Sequence, residues 1–84
     1  MEVIHHSEER YASLTLVAHS KEEIEQARKV VDETVPQDRE DISISDSEVD
    51  DIYEITIEYH DDYDKSSGEV FEKIIQSLNI DSCE

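Results

Sequence analysis

The 84 residues of this chain include one glycine, one proline, one cysteine and no tryptophan. A single cysteine, Cys83, excludes an intramolecular disulfide and a cysteine-based zinc site. With so little glycine the turns must use Asp, Ser and Asn, and no glycine-rich phosphate loop is present. No apolar run approaches the roughly 18 residues of a membrane span. Charges at Glu8, Glu9 and Arg10 interrupt any secretory signal, so we expect a soluble, cytoplasmic protein.

Positive charge is also scarce, with 7 Lys and Arg against 24 Asp and Glu, for a formal net charge of −17. Fourteen of the 24 acids lie between Asp32 and Asp64, where Arg39 is the only base, so this stretch carries −13. Crowded carboxylates cost folding stability through self-repulsion, so a compensating function is expected. Direct binding to nucleic acid or to an anionic membrane is disfavoured, because both are themselves negative.

Hydrophobic residues make up 36% of the chain, below the usual 45–50%. The ten isoleucines nevertheless follow regular periods, which favours a folded domain over a disordered acidic tail. We expect one domain over residues 1–84, with a weakly patterned segment at 1–10 and a frayed tail at 80–84. Within 1–10, Val3 and Ile4 either add a short strand or belong to a mobile segment.

The apolar spacing predicts β-α-β-β up to residue 59. Tyr11–His19 alternates as a strand, and Ser20–Glu23 forms a capping box that starts a helix ended by Pro36. Ile42 and Ile44 mark a short second strand. A polar turn over 46–51 leads to a third strand over 52–59.

A second capping box, Ser66–Glu69, predicts a final helix, for which Asn79 is a plausible terminator. The fold class is therefore α+β, with a three-stranded antiparallel-type sheet and two helices on one face, a ferredoxin-like half-sandwich. A right-handed crossover gives the strand order 1-3-2. The other sheet face is expected to be open and polar, and strand 11–18 to be a free edge suited to a homodimer or a partner strand.

Catalytic and metal-binding patterns are weak. His19 and His60 are expected at opposite ends of the sheet, and adjacent His5 and His6 on opposite faces, so the histidines do not converge on an ion. The start of a calcium loop at Asp62 lacks both the turn glycine and the final glutamate. No nucleophile stands beside a base in a motif. We expect no enzyme, no metal and no cofactor.

The acid array is interpreted as a mimic of nucleic acid. Carboxylates two residues apart on a strand lie about 6.6 Å apart, from a rise of roughly 3.3 Å per residue, which is comparable to phosphate spacing along one strand of a duplex. A basic DNA- or RNA-binding protein would present Lys and Arg to such acids and release counterions. Glu48 and Asp50 have this separation if the chain is extended there, and Asp46, Glu48, Asp50, Glu54 and Glu58 are expected to continue a row of acids along the second hairpin. The expected partner-binding residues are Asp46, Glu48, Asp50, Asp51, Glu54, Glu58, Asp61, Asp62, Tyr63 and Asp64.

In size and composition the chain resembles the nucleic-acid-mimic inhibitors of phages and mobile elements, which implies an anti-defence inhibitor. Two alternatives stay open. One is an accessory or dimerisation subunit that docks through an open sheet edge. The other is a small domain adapted to high salt, which explains acidity spread over a whole surface better than acidity concentrated in one third of a chain.

The predicted element order is similar to that of two further families: the small acidic-tailed regulators of RecA filaments and the small dimerisation subunit of the tRNA-modifying KEOPS complex. The similarity covers core periodicity only, at Leu14–Leu16, Ile24–Val31, Ile42–Ile44, Ile55–Ile57 and Val70–Leu78. The KEOPS subunit usually opens its last helix with a basic Leu-Arg motif, where this chain has Gly68-Glu69-Val70-Phe71. Both are analogies of topology.

Overall fold

The computed structural model describes residues 2–36, 39–62 and 66–78. Four strands and two helices follow one another in the order β-β-α-β-β-α. Their bounds are β1 Glu2–Ser7, β2 Ala12–Ala18, α1 Lys21–Thr34, β3 Ile42–Val49, β4 Ile52–Tyr59 and α2 Ser67–Ser77. The expected Asn79 terminator and the expected frayed tail lie outside the described residues. The protein is thus α+β, as predicted.

The four strands form one antiparallel sheet in the order β1-β2-β4-β3. The three expected strands are β2, β3 and β4, and they lie in the expected order, β2-β4-β3. The sheet has a fourth strand that was not expected, because Glu2–Ser7 forms β1. The expectation that strand 11–18 is a free edge is wrong. β2 pairs with β1 on one side and with β4 on the other, so it lies inside the sheet.

Helix α1 begins as the sequence predicts. The Glu23 amide donates to the Ser20 hydroxyl at 3.2 Å, and the Glu23 carboxylate accepts from the backbone amide of His19 at 3.1 Å. The apolar stripe Ile24, Ala27 and Val31 is buried. Val35 is also buried and ends the helix in an extended conformation, directly before Pro36.

One apolar layer joins the sheet to both helices. Direct partners on antiparallel strands share a face, and the register brings alternate residues of β2 and β4 together on the side that the helices cover. The buried core consists of Ala12, Leu14, Leu16, Ala18, Ile24, Ala27, Val31, Val35, Ile55, Ile57, Tyr59, Phe71 and Ile74. No residue of β3 belongs to this core, because β3 lies at the sheet edge.

β3 is longer than predicted, and the polar turn shrinks to two residues. Asp50 and Asp51 connect β3 to β4 with φ of 53° and 63°. Positive φ at both central residues is typical of the type I′ hairpin turn, whose twist matches that of the flanking strands. The left-handed region costs an L-residue roughly 1–2 kcal/mol, so this turn is under backbone strain.

We expect Asp51→Gly to stabilise the protein by roughly 0.5–1 kcal/mol, after the greater freedom of glycine in the unfolded chain is subtracted. Urea denaturation measures the change. The matched control is Asp51→Ala, which removes the same charge but keeps a Cβ. Equal stabilisation by both variants would assign the effect to charge and contradict the backbone explanation.

Candidate binding surface

In the hairpin formed by β3 and β4, β4 packs under the helices, whereas β3 lies mostly outside the helical layer. Helix α1 packs against β2, β4 and α2, and seven of the eight residues of β3 are exposed, all except Ile42. Residues 42–59 hold six acids and no base. We call this segment the acidic hairpin, and its acids are Asp46, Glu48, Asp50, Asp51, Glu54 and Glu58.

The six carboxylates lie on both faces of the hairpin and at its tip. Asp46 and Glu48 oppose Ile55 and Tyr53, which places both acids on the helix side of the sheet. Glu54 and Glu58 belong to the open side, and the two aspartates of the turn form the tip. The expected single row is therefore two half-rows. The assumed extended spacing from Glu48 to Asp50 does not hold, because Asp50 is in the turn.

Little positive charge reaches the acidic hairpin. A carboxylate oxygen of Asp46 lies 2.5 Å from Nη2 of Arg28, across the helix side of the sheet. Both side chains are about half exposed, at 53% for Arg28 and 49% for Asp46, and such exposed pairs contribute about 0–1 kcal/mol. Within the described residues, Glu48, Asp50, Asp51 and Glu54 have no salt bridge.

Arg39, the only basic residue between positions 32 and 64, forms its hydrogen bonds beside the hairpin and not with the hairpin acids. Its guanidinium donates to both carboxylate oxygens of Asp41 at 3.0 and 2.7 Å and to the hydroxyl of Ser66 at 3.2 Å. It also lies 5.7 Å from the ring centre of Tyr59. The hydrogen bonds from Arg39 hold the pKa of Asp41 below its usual value. Arg39 thus ties the start of β3 to the start of α2 and does not pair with the hairpin acids, of which only Asp46 has a salt bridge among the described residues.

Helices leave the opposite face of the sheet uncovered, as the sequence predicts. There the Tyr11 hydroxyl donates to Glu58 at 2.5 Å, and the hydroxyls of Thr15 and Thr56 lie 3.1 Å apart across β2 and β4. The hydrogen bond to Glu58, followed by desolvation, raises the pKa of Tyr11. This face carries two of the six hairpin acids and is polar around Tyr11, Thr15 and Thr56, but it also exposes the apolar side chains of Ile4, Val49 and Ile52.

Two histidines flank Tyr11 on the open face. The ring centres of His6 and His60 each lie 6.0 Å from that of Tyr11, and Nε2 of His60 lies 2.9 Å from the hydroxyl of Ser43. Sequence reasoning missed this cluster because His6 lies on β1, whose position was undetermined. The nearest signal was alternation from Val3 to His6, which is too short to assign a strand.

Other histidines lie where the sequence predicts. His5 contacts Phe71 on the helix side, with ring centres 5.6 Å apart, whereas His6 lies on the open side. The antiparallel register of β2 and β4 separates His19 from His60 at opposite ends. Across residues 2–36, 39–62 and 66–78, no three His, Cys, Asp or Glu side chains are close enough together to hold a metal ion.

Acids after β4 have separate roles. Asp61 is exposed. Asp62 is 2% exposed, and its carboxylate accepts from the backbone amide of Ser67 at 3.1 Å and from the Ser67 hydroxyl at 2.6 Å. Asp62 therefore caps α2, and the predicted capping box is wrong because the Ser66 side chain makes no capping hydrogen bond. Tyr63 and Asp64 lie outside the described residues.

We expect salt to stabilise the fold. Carboxylates on the acidic hairpin repel one another, and the screening length falls from about 30 Å at about 10 mM to less than about 8 Å above about 150 mM salt. The melting temperature should therefore rise by several degrees between about 10 mM and about 500 mM NaCl, as measured by circular dichroism. A flat or falling curve would show that this repulsion does not limit stability.

In the part of the chain that the structure describes, no helix is long and apolar enough to cross a membrane. Comparisons of the chain with protein-family models, with curated protein sequences and with solved structures found no significant match.

Proposed function

We propose that this is a non-enzymatic acidic binding protein of the cytoplasm that inhibits a basic DNA- or RNA-binding protein by occupying its nucleic-acid site. The observation that carries the proposal is the acidic hairpin, which holds six acids and no base and in which strand β3 and the turn are exposed apart from Ile42. Charge on a solvated helix surface would be ordinary, but these acids are concentrated on one hairpin.

Geometry supports contact with a cationic groove. Asp46 and Glu48 are two residues apart on one strand face, a separation of about 6.6 Å. Glu54 and Glu58 face the other way, so the hairpin presents negative charge to both walls of a groove. Lys and Arg on those walls would displace the cations that surround the carboxylates, as they displace the cations that surround phosphates. The sequence-derived set keeps Asp61, whereas Asp62 is left out because it is buried.

We also infer that β2, α1, β3, β4 and α2 form a ferredoxin-like half-sandwich. β1 lies beside β2. In the complete architecture this place belongs to a last strand that follows α2. Within the half-sandwich, β2 and the two helices act as a rigid support for the hairpin, because the core joins them to β4. Function is argued from the acidic surface and not from this architecture.

Affinity capture tests the proposal. The immobilised protein is incubated with cell extract at low salt, and bound proteins are eluted by a salt step and identified. We expect a basic nucleic-acid-binding protein whose complex with duplex DNA or with RNA is displaced by the free acidic protein. A captured partner that binds nucleic acid and this protein simultaneously would contradict mimicry.

A further inference from the structure

The outer edge of β1 has no described strand beside it. Opposed residues of antiparallel strands alternate between pairs that exchange hydrogen bonds and pairs that do not. The Glu8 amide donates to the Tyr11 carbonyl at 2.6 Å, which makes these two a bonded pair. By the register, the backbone groups of Val3, His5 and Ser7 therefore point away from β2. This edge presents regularly spaced donors and acceptors.

A groove runs between this edge and α2. It has a volume of about 410 Å³, and its lining consists of His5, Leu14, Gly68, Phe71, Glu72, Ile75 and Gln76. Phe71 belongs to the core and Ile75 packs against it, so the floor is apolar and continuous with the core. His5 forms the strand wall through its edge contact with Phe71. The groove exists because the helix side of β1 is covered only in part: Val3 packs against the core, whereas His5 is exposed despite its contact with Phe71.

From this combination we propose that an extended peptide of a partner protein binds as a fifth strand along β1, with alternate side chains in the groove beside α2. Main-chain hydrogen bonds to an exposed edge supply affinity in this mode, and pockets for alternate side chains supply specificity. The edge requires an extended backbone, since only that conformation matches the two-residue spacing of Val3, His5 and Ser7.

The residues that line the groove and the net charge of the protein indicate which side chains the bound peptide should carry. Side chains directed to the helix side meet Phe71 and Ile75 and should be aliphatic. Side chains directed to the open side meet Glu2, Ile4 and His6, of which Glu2 is acidic and has a mostly exposed side chain. With a net charge of −17 on the protein, these positions should be Lys or Arg. This surface is separate from the acidic hairpin, which lies at the opposite edge of the sheet.

A peptide panel tests the proposal on the full chain. The fluorescent probes are peptides of about six to eight residues, a typical strand length, in which Val or Leu alternates with Lys or Arg. The paired control carries N-methyl groups on the backbone amides of alternate residues, in both registers, with side chains and charge unchanged. We expect the parent peptides to bind and the N-methylated series whose methyl groups face β1 to lose binding, whereas the series whose methyl groups face away keeps it. The amides of Val3, His5 and Ser7 should gain protection from hydrogen exchange when a peptide binds.

Gly68 allows the groove to be filled without disturbing the fold. A Cβ built at this position meets no atom within 4 Å, so Gly68→Leu places a side chain in open space. We expect the variant to melt no lower than the parent and to bind the peptides at least about tenfold more weakly, or about 1.4 kcal/mol. Neutralising the acidic hairpin should leave the hydrogen-exchange protection at β1 in place, so failure here and failure of the proposed function are distinguishable.

Four results would overturn the proposal. If no peptide of the panel binds, β1 does not accept an added strand. If N-methylated and parent peptides bind alike, the attraction is only electrostatic. If removing residues 79–84 is required for binding, the occupant is the chain's own tail. If β1 amides become protected with increasing protein concentration alone, the occupant is a second copy.

Discussion

Removing four charges from the acidic hairpin should weaken binding to the basic partner by orders of magnitude. The variant combines Glu48→Gln, Asp50→Asn, Glu54→Gln and Glu58→Gln. These changes keep shape and hydrogen-bonding groups, and Gln at position 58 still offers an acceptor to Tyr11. If the partner treats these carboxylates as phosphates, each lost charge removes a counterion-release contact, so the salt dependence of binding should also flatten. Titration calorimetry with the captured partner measures both effects.

The matched control removes four charges from exposed helix positions, by Glu22→Gln, Glu25→Gln, Glu33→Gln and Glu69→Gln. Both variants have the same net charge, so total charge cannot distinguish them. We expect the helix variant to bind within a few-fold of the parent. Equal losses in the two variants would show that the partner senses only a polyanion, and would contradict a site on the hairpin.

Truncation of a core side chain should have the largest effect on stability. Ile57 is 0% exposed and lies between Leu14 and Ile44 in the register of the sheet. Ile57→Ala should cost roughly 2–5 kcal/mol, because the loss of buried methyl groups leaves a cavity. A domain of this size has a free energy of unfolding of about 5–10 kcal/mol, so much of its stability would be lost.

Urea denaturation of Ile57→Ala measures this loss, and Ile4→Ala is the control. Ile4 is 59% exposed on the open face, so its truncation should change the free energy of unfolding by no more than about 0.5 kcal/mol. If Ile4→Ala lowers the urea midpoint and Ile57→Ala does not, the buried and open faces of the sheet are assigned the wrong way round.

The elements with strong local signals could be predicted from the sequence. The Ser20 and Glu23 pair fixed the start of α1, and strict alternation from Ile52 to Tyr59 gave β4 with its correct bounds. In these segments the buried residues recur with the period of the helix or of the strand, so the apolar spacing in the sequence indicates the element directly. The polar open face was predicted for the same reason, since Glu54 and Glu58 alternate with core residues.

β1 and most of β3 could not be predicted because neighbouring strands hold them. Both lie at sheet edges and bury little surface, so their sequences alternate weakly. From Ser45 to Val49 the chain is polar on both faces and resembles a turn, yet it is a strand because it pairs with β4. Such pairing depends on residues that are distant in sequence, and it overrides the intrinsic strand propensity of the segment.

The distribution of the acids also required the structure. Asp62 has the same side chain as Asp61, but its place beside the first turn of α2 makes it a buried cap. Asp50 and Asp51 form a two-residue turn without glycine, which the sequence cannot distinguish from a longer loop. A single row of carboxylates thus became two half-rows joined by a strained tip.

Salt dependence of binding tests the central claim most directly. The association constant for the captured partner should be measured between about 50 mM and about 300 mM NaCl, in the presence and absence of competing duplex DNA or RNA. A mimic of the phosphate backbone predicts a steep linear fall of log K with log salt and direct competition with nucleic acid. An association constant that stays constant over this range, or that nucleic acid leaves unchanged, would contradict the account.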